Sequence, residues 1–366
     1  MNRTPLGEKL PDFPWDSLAE AKAKAAAHPD GIINLSVGTP VDPVSPGVQL
    51  GLASTAAEPG YPATAGTPEL QQAIVSAMER RYHVTGLDTK SVLPVIGSKE
   101  AIAWLPTLLG LSGHRIVIPS LAYPTYEVGA RLAGAEAIRA DETADFGDAS
   151  LVYLNYPANP TGQVASVEHL REVVAWARAN DAIVASDECY LGLGWNDDNP
   201  PVSILDPRVC DGDHTGLLAL HSLSKTANLA SYRAAFIAGD RDLVQELLAV
   251  RKHAGLIVPG PIQSAMVAAL DEDASEQLQR QLYARRRVAL MRALTTAGFS
   301  IDHSDGGLYL WATRGEDCRA TVDWLAERGI LVAPGDFYGP AGKQYIRMGL
   351  NGTDEGIAAA VERLGR

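Results

Sequence analysis

A chain of 366 residues, 46% hydrophobic and 20% charged, is long enough for about two domains and too apolar to stay disordered. Its 31 Lys and Arg against 44 Asp and Glu leave a net charge of −13, which argues against a nucleic-acid binder and for small molecules or a second copy as partners. Cys189, Cys210 and Cys318 show no CxxC spacing, so neither a disulfide framework nor a zinc knuckle is expected.

The start, Met1-Asn2-Arg3-Thr4-Pro5-Leu6, lacks the apolar core of a secretion signal. No apolar run reaches the roughly 20 residues that span a bilayer, so a cytoplasmic protein without a membrane partner is expected. Pro11 and Pro14 open the chain, followed by a short Ala/Lys helix that stops at His28-Pro29-Asp30-Gly31. Apolar strand candidates then fall at 92–96, 115–119, 135–139, 151–155, 182–187, 217–221 and 235–239. Helical periodicity occupies 98–109, 123–133, 166–180 and 241–253. Strands apolar throughout, separated by helices, predict an α/β fold with a mostly parallel sheet covered on both faces. Ligands of such sheets sit beyond the carboxyl ends of the strands.

A long polar helix over 275–297 leads away from the sheet, and its Arg285-Arg286-Arg287 run reads as a solvated face. A strand pair around 307–312, a helix over 319–328, a strand near 346–349 and a helix from Thr353 complete the chain. The expected division is a large domain over 34–272 and a small α/β domain built from both termini, 1–33 with 273–366.

There is no GxxxxGK loop, GxGxxG turn after a strand, HExxH helix or GxSxG elbow, which weakens kinase, dehydrogenase, metalloprotease and hydrolase readings. The informative stretch is Ser222-Leu223-Ser224-Lys225, just after a predicted strand, with Arg233 entering the next. A lysine at that edge can form an imine with a phosphorylated carbonyl compound, while Ser222 and Arg233 bind the phosphate.

The run from Ser222 to Arg233, SLSKTANLASYR, resembles the lysine signature of the fold-type I pyridoxal-phosphate aminotransferases of class I/II. Other segments are similar to that family in the same order. They are Gly97-Ser98-Lys99-Glu100-Ala101-Ile102, Asn155-Tyr156-Pro157-Ala158-Asn159-Pro160-Thr161-Gly162, Ser186-Asp187-Glu188-Cys189-Tyr190 and Tyr345-Ile346-Arg347-Met348. The resemblance implies a fold-type I transferase with a seven-stranded sheet and pyridoxal 5′-phosphate carried on Lys225, which also moves the substrate proton. It implies Asp187 on the pyridine nitrogen, Asn159 and Tyr190 on the ring oxygen, and Tyr123 stacked on the ring. Lys225, Asp187 and Tyr190 form the catalytic set, and no metal is implied.

The phosphate cup implied by the same likeness comprises Ser98, Lys99, Ser222, Ser224 and Arg233. Tyr61 would reach it from the partner in a homodimer with shared active sites. Arg347 would grip the substrate α-carboxylate, assisted by Gly38 and Asn159. Lys99, Lys252, Tyr309 and Phe337 are candidates for the side-chain pocket.

Four further segments are similar to one subgroup, the actinobacterial N-succinyldiaminopimelate aminotransferases of lysine biosynthesis by the succinylase branch. They are Leu10–Asp16, Tyr190–Trp195, Ile204–Pro207 and Arg328–Gly339. That likeness implies transamination of N-succinyl-L,L-2,6-diaminopimelate with 2-oxoglutarate. A pyridoxal-phosphate β-lyase of the cystathionine type and an aminotransferase of another amino acid stand as alternatives. A cofactor-binding regulator is disfavoured by the short segment before Gly31.

Overall fold

The computed structural model describes residues 5–365. Met1 to Thr4, where the missing signal core was read, and Arg366 lie outside the described residues.

A short β1 (Ile33–Asn34) precedes seven longer strands. They are β2 (Val92–Ile96), β3 (Arg115–Ile118), β4 (Glu136–Arg139), β5 (Leu151–Asn155), β6 (Ile183–Asp187), β7 (Leu217–Ser222) and β8 (Ala234–Gly239). They form one sheet in the order β2-β8-β7-β6-β5-β3-β4. Only β8 runs against its neighbours; the other pairs are parallel. The apolar runs locate these strands to within a residue at each end, where ladder hydrogen bonds rather than apolarity decide the boundary.

Both faces of the sheet are covered, which is why its strands carry no polar alternation. The helix Ser98–Leu108 buries Ala101, Ile102 and Leu105 against one face with Ile116, Tyr126 and Leu220. The helix Val167–Ala179 buries Leu170, Val173, Val174 and Ala177 on the other. Each of these large aliphatic side chains stabilises the fold by roughly 1.5–3 kcal/mol through burial alone.

One edge of the sheet collects the chemistry. Asn155, Asp187 and Ser222 end β5, β6 and β7, and Asn155 pairs directly with Asp187. Because β8 is reversed, Arg233 enters it at that same edge, and Ala234 pairs with Ile96 at the end of β2.

A second assembly faces this edge. It contains β9 (Ser300–Ile301), β10 (Tyr309–Thr313), β11 (Ile330–Leu331), β12 (Ala333–Pro334) and β13 (Tyr345–Gly349). An antiparallel sheet has the order β12-β13-β10-β9, and β1 pairs with β11 in parallel, tying early residues to late ones. Its core gathers Leu18, Leu35, Leu290, Leu310 and Ile346, and Cys189 and Tyr190 reach into it from the strand-edge loop.

The long helix, Asp273–Thr296, corrects one expectation. Arg286 is not solvated: it is buried and bonds the Asp42 carboxylate at 2.7 Å through both terminal nitrogens. Arg287 bonds Ser304, and only Arg285 stays exposed. The helix packs along its length, so a run of three arginines turns one of them inward; charge alone does not reveal which. No described helix is long and apolar enough to cross a membrane.

Candidate active site

A cavity of about 490 Å³ opens where the sheet edge meets the second assembly. Gly38, Ser98, Lys99, Tyr123, Asn159, Asp187, Tyr190, Ser222, Ser224, Lys225, Arg233 and Arg347 all line it. Tyr61 does not: its side chain is fully exposed. Of the pocket-mouth candidates, Lys99 and Tyr309 face the cavity. Lys252 is an exposed residue of the helix Arg241–Ala254, and Phe337 packs on Trp15 with ring centroids 5.3 Å apart.

Lys225 sits in a one-turn helix, Leu223–Thr226, that starts where β7 stops. Ser222 caps it, its hydroxyl accepting the Ser224 N–H at 3.1 Å. The half-buried Lys225 ammonium donates to the Gly38 carbonyl.

Asp187 is buried at the end of β6. One carboxylate oxygen accepts the Tyr126 hydroxyl at 2.7 Å and the other the Cys189 N–H at 3.3 Å. Burial outweighs these bonds and lifts the carboxyl above its usual range, the signature of an anion awaiting a cation. Asn155 joins the neighbouring pieces: it donates to the Asp187 carbonyl at 3.0 Å and accepts the Asn159 N–H at 2.8 Å. Both proline bonds in this loop, Tyr156-Pro157 and Asn159-Pro160, are cis.

At the β2 end, Gly97 has φ +83°, a conformation that side chains resist. A Cβ there would also come within 2.0 Å of an Arg233 terminal nitrogen. Arg233 itself has φ +56°, and its guanidinium is steadied by the Ala230 carbonyl at 2.8 Å. An arginine held in the left-handed region is a strain of order 1 kcal/mol that the surroundings sustain. The result brings Arg233 against the start of the helix Ser98–Leu108, whose N–H groups attract an anion.

Arg347 stands in β13 between Trp311 and Ala333 and is only 2% exposed. Its terminal nitrogens donate to Asn159 Oδ1 at 2.9 Å and to the Ser36 carbonyl at 2.6 Å. Its Nε–H is buried with no acceptor. Among the described residues, none of the ion pairs involves Lys99, Lys225, Arg233 or Arg347. An acidic protein therefore holds a cleft whose cations make no ion pair among the described residues, able to seat an anion on either side of Lys225.

Several cavity residues had no role in the sequence reading: Asn155, Cys189, Thr39, Phe13 and Trp15 line it, and Tyr126 stands behind Asp187. Asn155 carried a signal, a polar residue closing an otherwise apolar strand. Tyr126 carried none, since it looks like any core tyrosine on a helix.

Comparison with known proteins gives the family. The family described as aminotransferase class I and II matches residues 30–364. A probable aminotransferase of Mycobacterium tuberculosis is 64% identical over 98% of this chain and 86% of its own length. The 4-dedimethylamino-4-oxo-anhydrotetracycline transaminase of Streptomyces rimosus is 53% identical over 97% of this chain and 99% of its own. A solved structure, a probable N-succinyldiaminopimelate aminotransferase of Thermus thermophilus, superposes with a TM-score of 0.87 at 28% identity, covering 96% of this chain and 99% of that one. With its fold, its lysine-bearing cleft and a family match over nearly its whole length, the chain belongs to the class I and II aminotransferases, whose cofactor is pyridoxal phosphate.

Proposed function

We propose that this aminotransferase moves the amino group of N-succinyl-L,L-2,6-diaminopimelate to 2-oxoglutarate. The observation that carries the reading is Arg347, a buried guanidinium facing the same cavity as Lys225 with no carboxylate to balance it.

The residues present fit pyridoxal phosphate. Asp187 is a buried carboxylate raised by desolvation, suited to a ring N–H cation, and the missing Cβ of Gly97 lets the Arg233 guanidinium lie against the start of the helix Ser98–Leu108, where an anion would sit. Lys225 would hold the cofactor covalently, Asp187 its ring nitrogen, and Asn159 and Tyr190 its ring oxygen, with Tyr123 against the ring. Ser98, the backbone N–H of Lys99, Ser222, Ser224 and Arg233 would hold its phosphate, which leaves the Lys99 ammonium to the substrate. When bound, it supplies an electron sink for the substrate α-carbon.

The chain's own groups do the rest. Arg347 turns its free N–H edge to the α-carboxylate in a bidentate pair and so fixes the α-carbon over the amine. Lys225 would take the α-proton at Nζ, and the Gly38 carbonyl, which accepts its ammonium N–H, would steady the charged form. Burial makes the Asp187 charge costly unless a cation faces it, so Asp187 would favour the protonated ring nitrogen.

Lys99 supports a substrate with a distal acid. Its ammonium lies 5.6 Å from the Phe13 ring centroid and 5.9 Å from that of Tyr123, at the mouth and outside any ion pair among the described residues. Phe13 and Trp15 offer an apolar wall to the chain between the two acids. In the same reading the enzyme is a homodimer, and the fully exposed Tyr61 reaches the partner's phosphate site. A second reading, an aminotransferase of another substrate, draws on the higher identity to the anhydrotetracycline transaminase.

Glutamate formation from 2-oxoglutarate across a donor panel tests the proposal. N-succinyldiaminopimelate should outpace acetylornithine, aromatic amino acids and alanine. A better donor within the panel overturns the substrate, and pyruvate release without an acceptor points instead to a β-lyase. Lys225→Ala should lose at least a thousandfold in turnover and its covalent cofactor while staying folded; retained transamination refutes its role.

A further inference from the structure

We propose that Tyr309 is a positioning residue that ties the carboxylate end of the site to its cofactor end. Tyr309 opens β10, opposite Gly349 on β13, and is 4% exposed. Its ring faces the substrate grip: the Arg347 guanidinium carbon lies 3.8 Å from the ring centroid. Its hydroxyl faces the other way and accepts the Tyr190 hydroxyl at 3.2 Å, with the two rings edge to face at 5.8 Å.

Gly38 makes this reach possible. A Cβ at that position would lie 1.9 Å from the Tyr309 hydroxyl oxygen, so the missing side chain is the space the phenol occupies. The carbonyl of the same glycine takes the Lys225 ammonium. One side chain thus touches Arg347, Tyr190 and the Lys225 acceptor at once.

The hydroxyls are not equivalent. Burial would raise Tyr309, but the charges of Arg347 and Lys225 outweigh it and bring the phenol below its usual range. Burial and Tyr309 both push Tyr190 up. In their bond Tyr190 is the donor and Tyr309 the acceptor, so the Tyr309 oxygen competes with the cofactor's ring oxygen for the one Tyr190 O–H. The ring of Tyr309, in turn, holds the guanidinium flat while its Nε–H edge stays free.

This inference rests on the reading of Arg347 as the carboxylate grip and of Tyr190 as a donor to the cofactor's ring oxygen. The test uses the holoenzyme with Tyr309→Phe, Tyr309→Leu and Arg347→Ala. Its readouts are the pH titration of the bound cofactor's visible absorbance and the affinity for succinate, a dicarboxylate that cannot react.

Tyr309→Phe removes the competing acceptor, so Tyr190 donates wholly to the ring oxygen and the titration midpoint falls by about half a pH unit. Succinate affinity in Tyr309→Phe stays within about twofold, whereas Tyr309→Leu loses about tenfold with the ring face. A midpoint that stays or rises in Tyr309→Phe overturns the hydroxyl half, and parental succinate binding in Tyr309→Leu overturns the ring half. If Arg347→Ala binds succinate like the parent, the grip itself is misplaced and the ring half falls with it. If Arg347→Ala loses binding and Tyr309→Leu does not, the grip stands and only the Tyr309 inference fails.

Discussion

Arg251 and Arg347 are both almost wholly buried, and the fold treats them in opposite ways. In the helical layer, Arg251 meets Glu100 through two parallel bonds of 2.9 and 3.0 Å, and Glu100 also accepts the Ile96 N–H. In the cleft, Arg347 meets two neutral oxygens and the faces of Tyr309 and Tyr338. A buried charge with its counter-ion is a structural unit, since removing one partner strands the other. A buried charge given only neutral acceptors has room for an anion from outside.

The largest effects should separate these two arginines. Arg347→Ala should raise KM for amino donor and keto acid about a hundredfold, as expected for a lost charge-assisted pair of roughly 3 kcal/mol. Its unfolding free energy should fall by about 1–2 kcal/mol, less than for a stranded charge, because only neutral oxygens are left unpaired. Arg251→Ala should do the reverse, losing roughly 3 kcal/mol of stability and leaving KM near the parent value. Steady-state kinetics and urea unfolding on both variants check this, and equal KM effects would break the distinction.

Asp187 extends the comparison to an anion. Burial raises its carboxyl, so the ionised form costs the cofactor-free protein stability at neutral pH. That cost is relieved as pH falls through the raised value, the opposite of a salt-bridged carboxylate. Asp187→Asn should therefore stabilise the cofactor-free chain by roughly 1 kcal/mol while lowering turnover at least a hundredfold. A cofactor-free variant less stable than its parent would mean that the Tyr126 and Cys189 bonds already hold the carboxylate.

The sheet edge was legible in the sequence because its signals are local. Parallel strands are continuous apolar runs, Asp187 and Ser222 close two of them, and Lys225 stands just beyond the second. The rim was not legible, because its contacts join residues far apart in the chain. Arg347 meets Ser36 and Asn159, Lys225 meets Gly38, and Trp15 meets Phe337. No window of sequence holds both partners of such a pair. The same reason explains why Lys252 and Phe337 looked as near to the mouth as Tyr309, which alone reaches Tyr190. Arg286 shows it on the outside: a helix of mixed polarity hides which of three arginines finds Asp42.

The smallest effect contrasts two acidic partners of paired arginines. Burial alone would raise the Asp42 carboxyl, but Arg286 and Gln279 outweigh it and hold it below the usual range. Arg80 and Arg81 bring Asp273 down to about 2. A carboxyl with a lower pKa when folded binds fewer protons than in the unfolded chain. Its contribution is therefore complete above about pH 4 and is lost as pH falls through the folded value. Asp42→Asn should remove about 1 kcal/mol of the stability that separates pH 5 from pH 3, measured by urea unfolding at each pH. The Asp273 side chain is 37% exposed against 15% for Asp42, so solvent and salt screen it more. Raising the salt concentration should flatten the pH slope due to Asp273 and spare the one due to Asp42. Equal flattening would show that burial of the Arg286 pair does not shield it, and the contrast between paired and open arginines would then rest on the cleft alone.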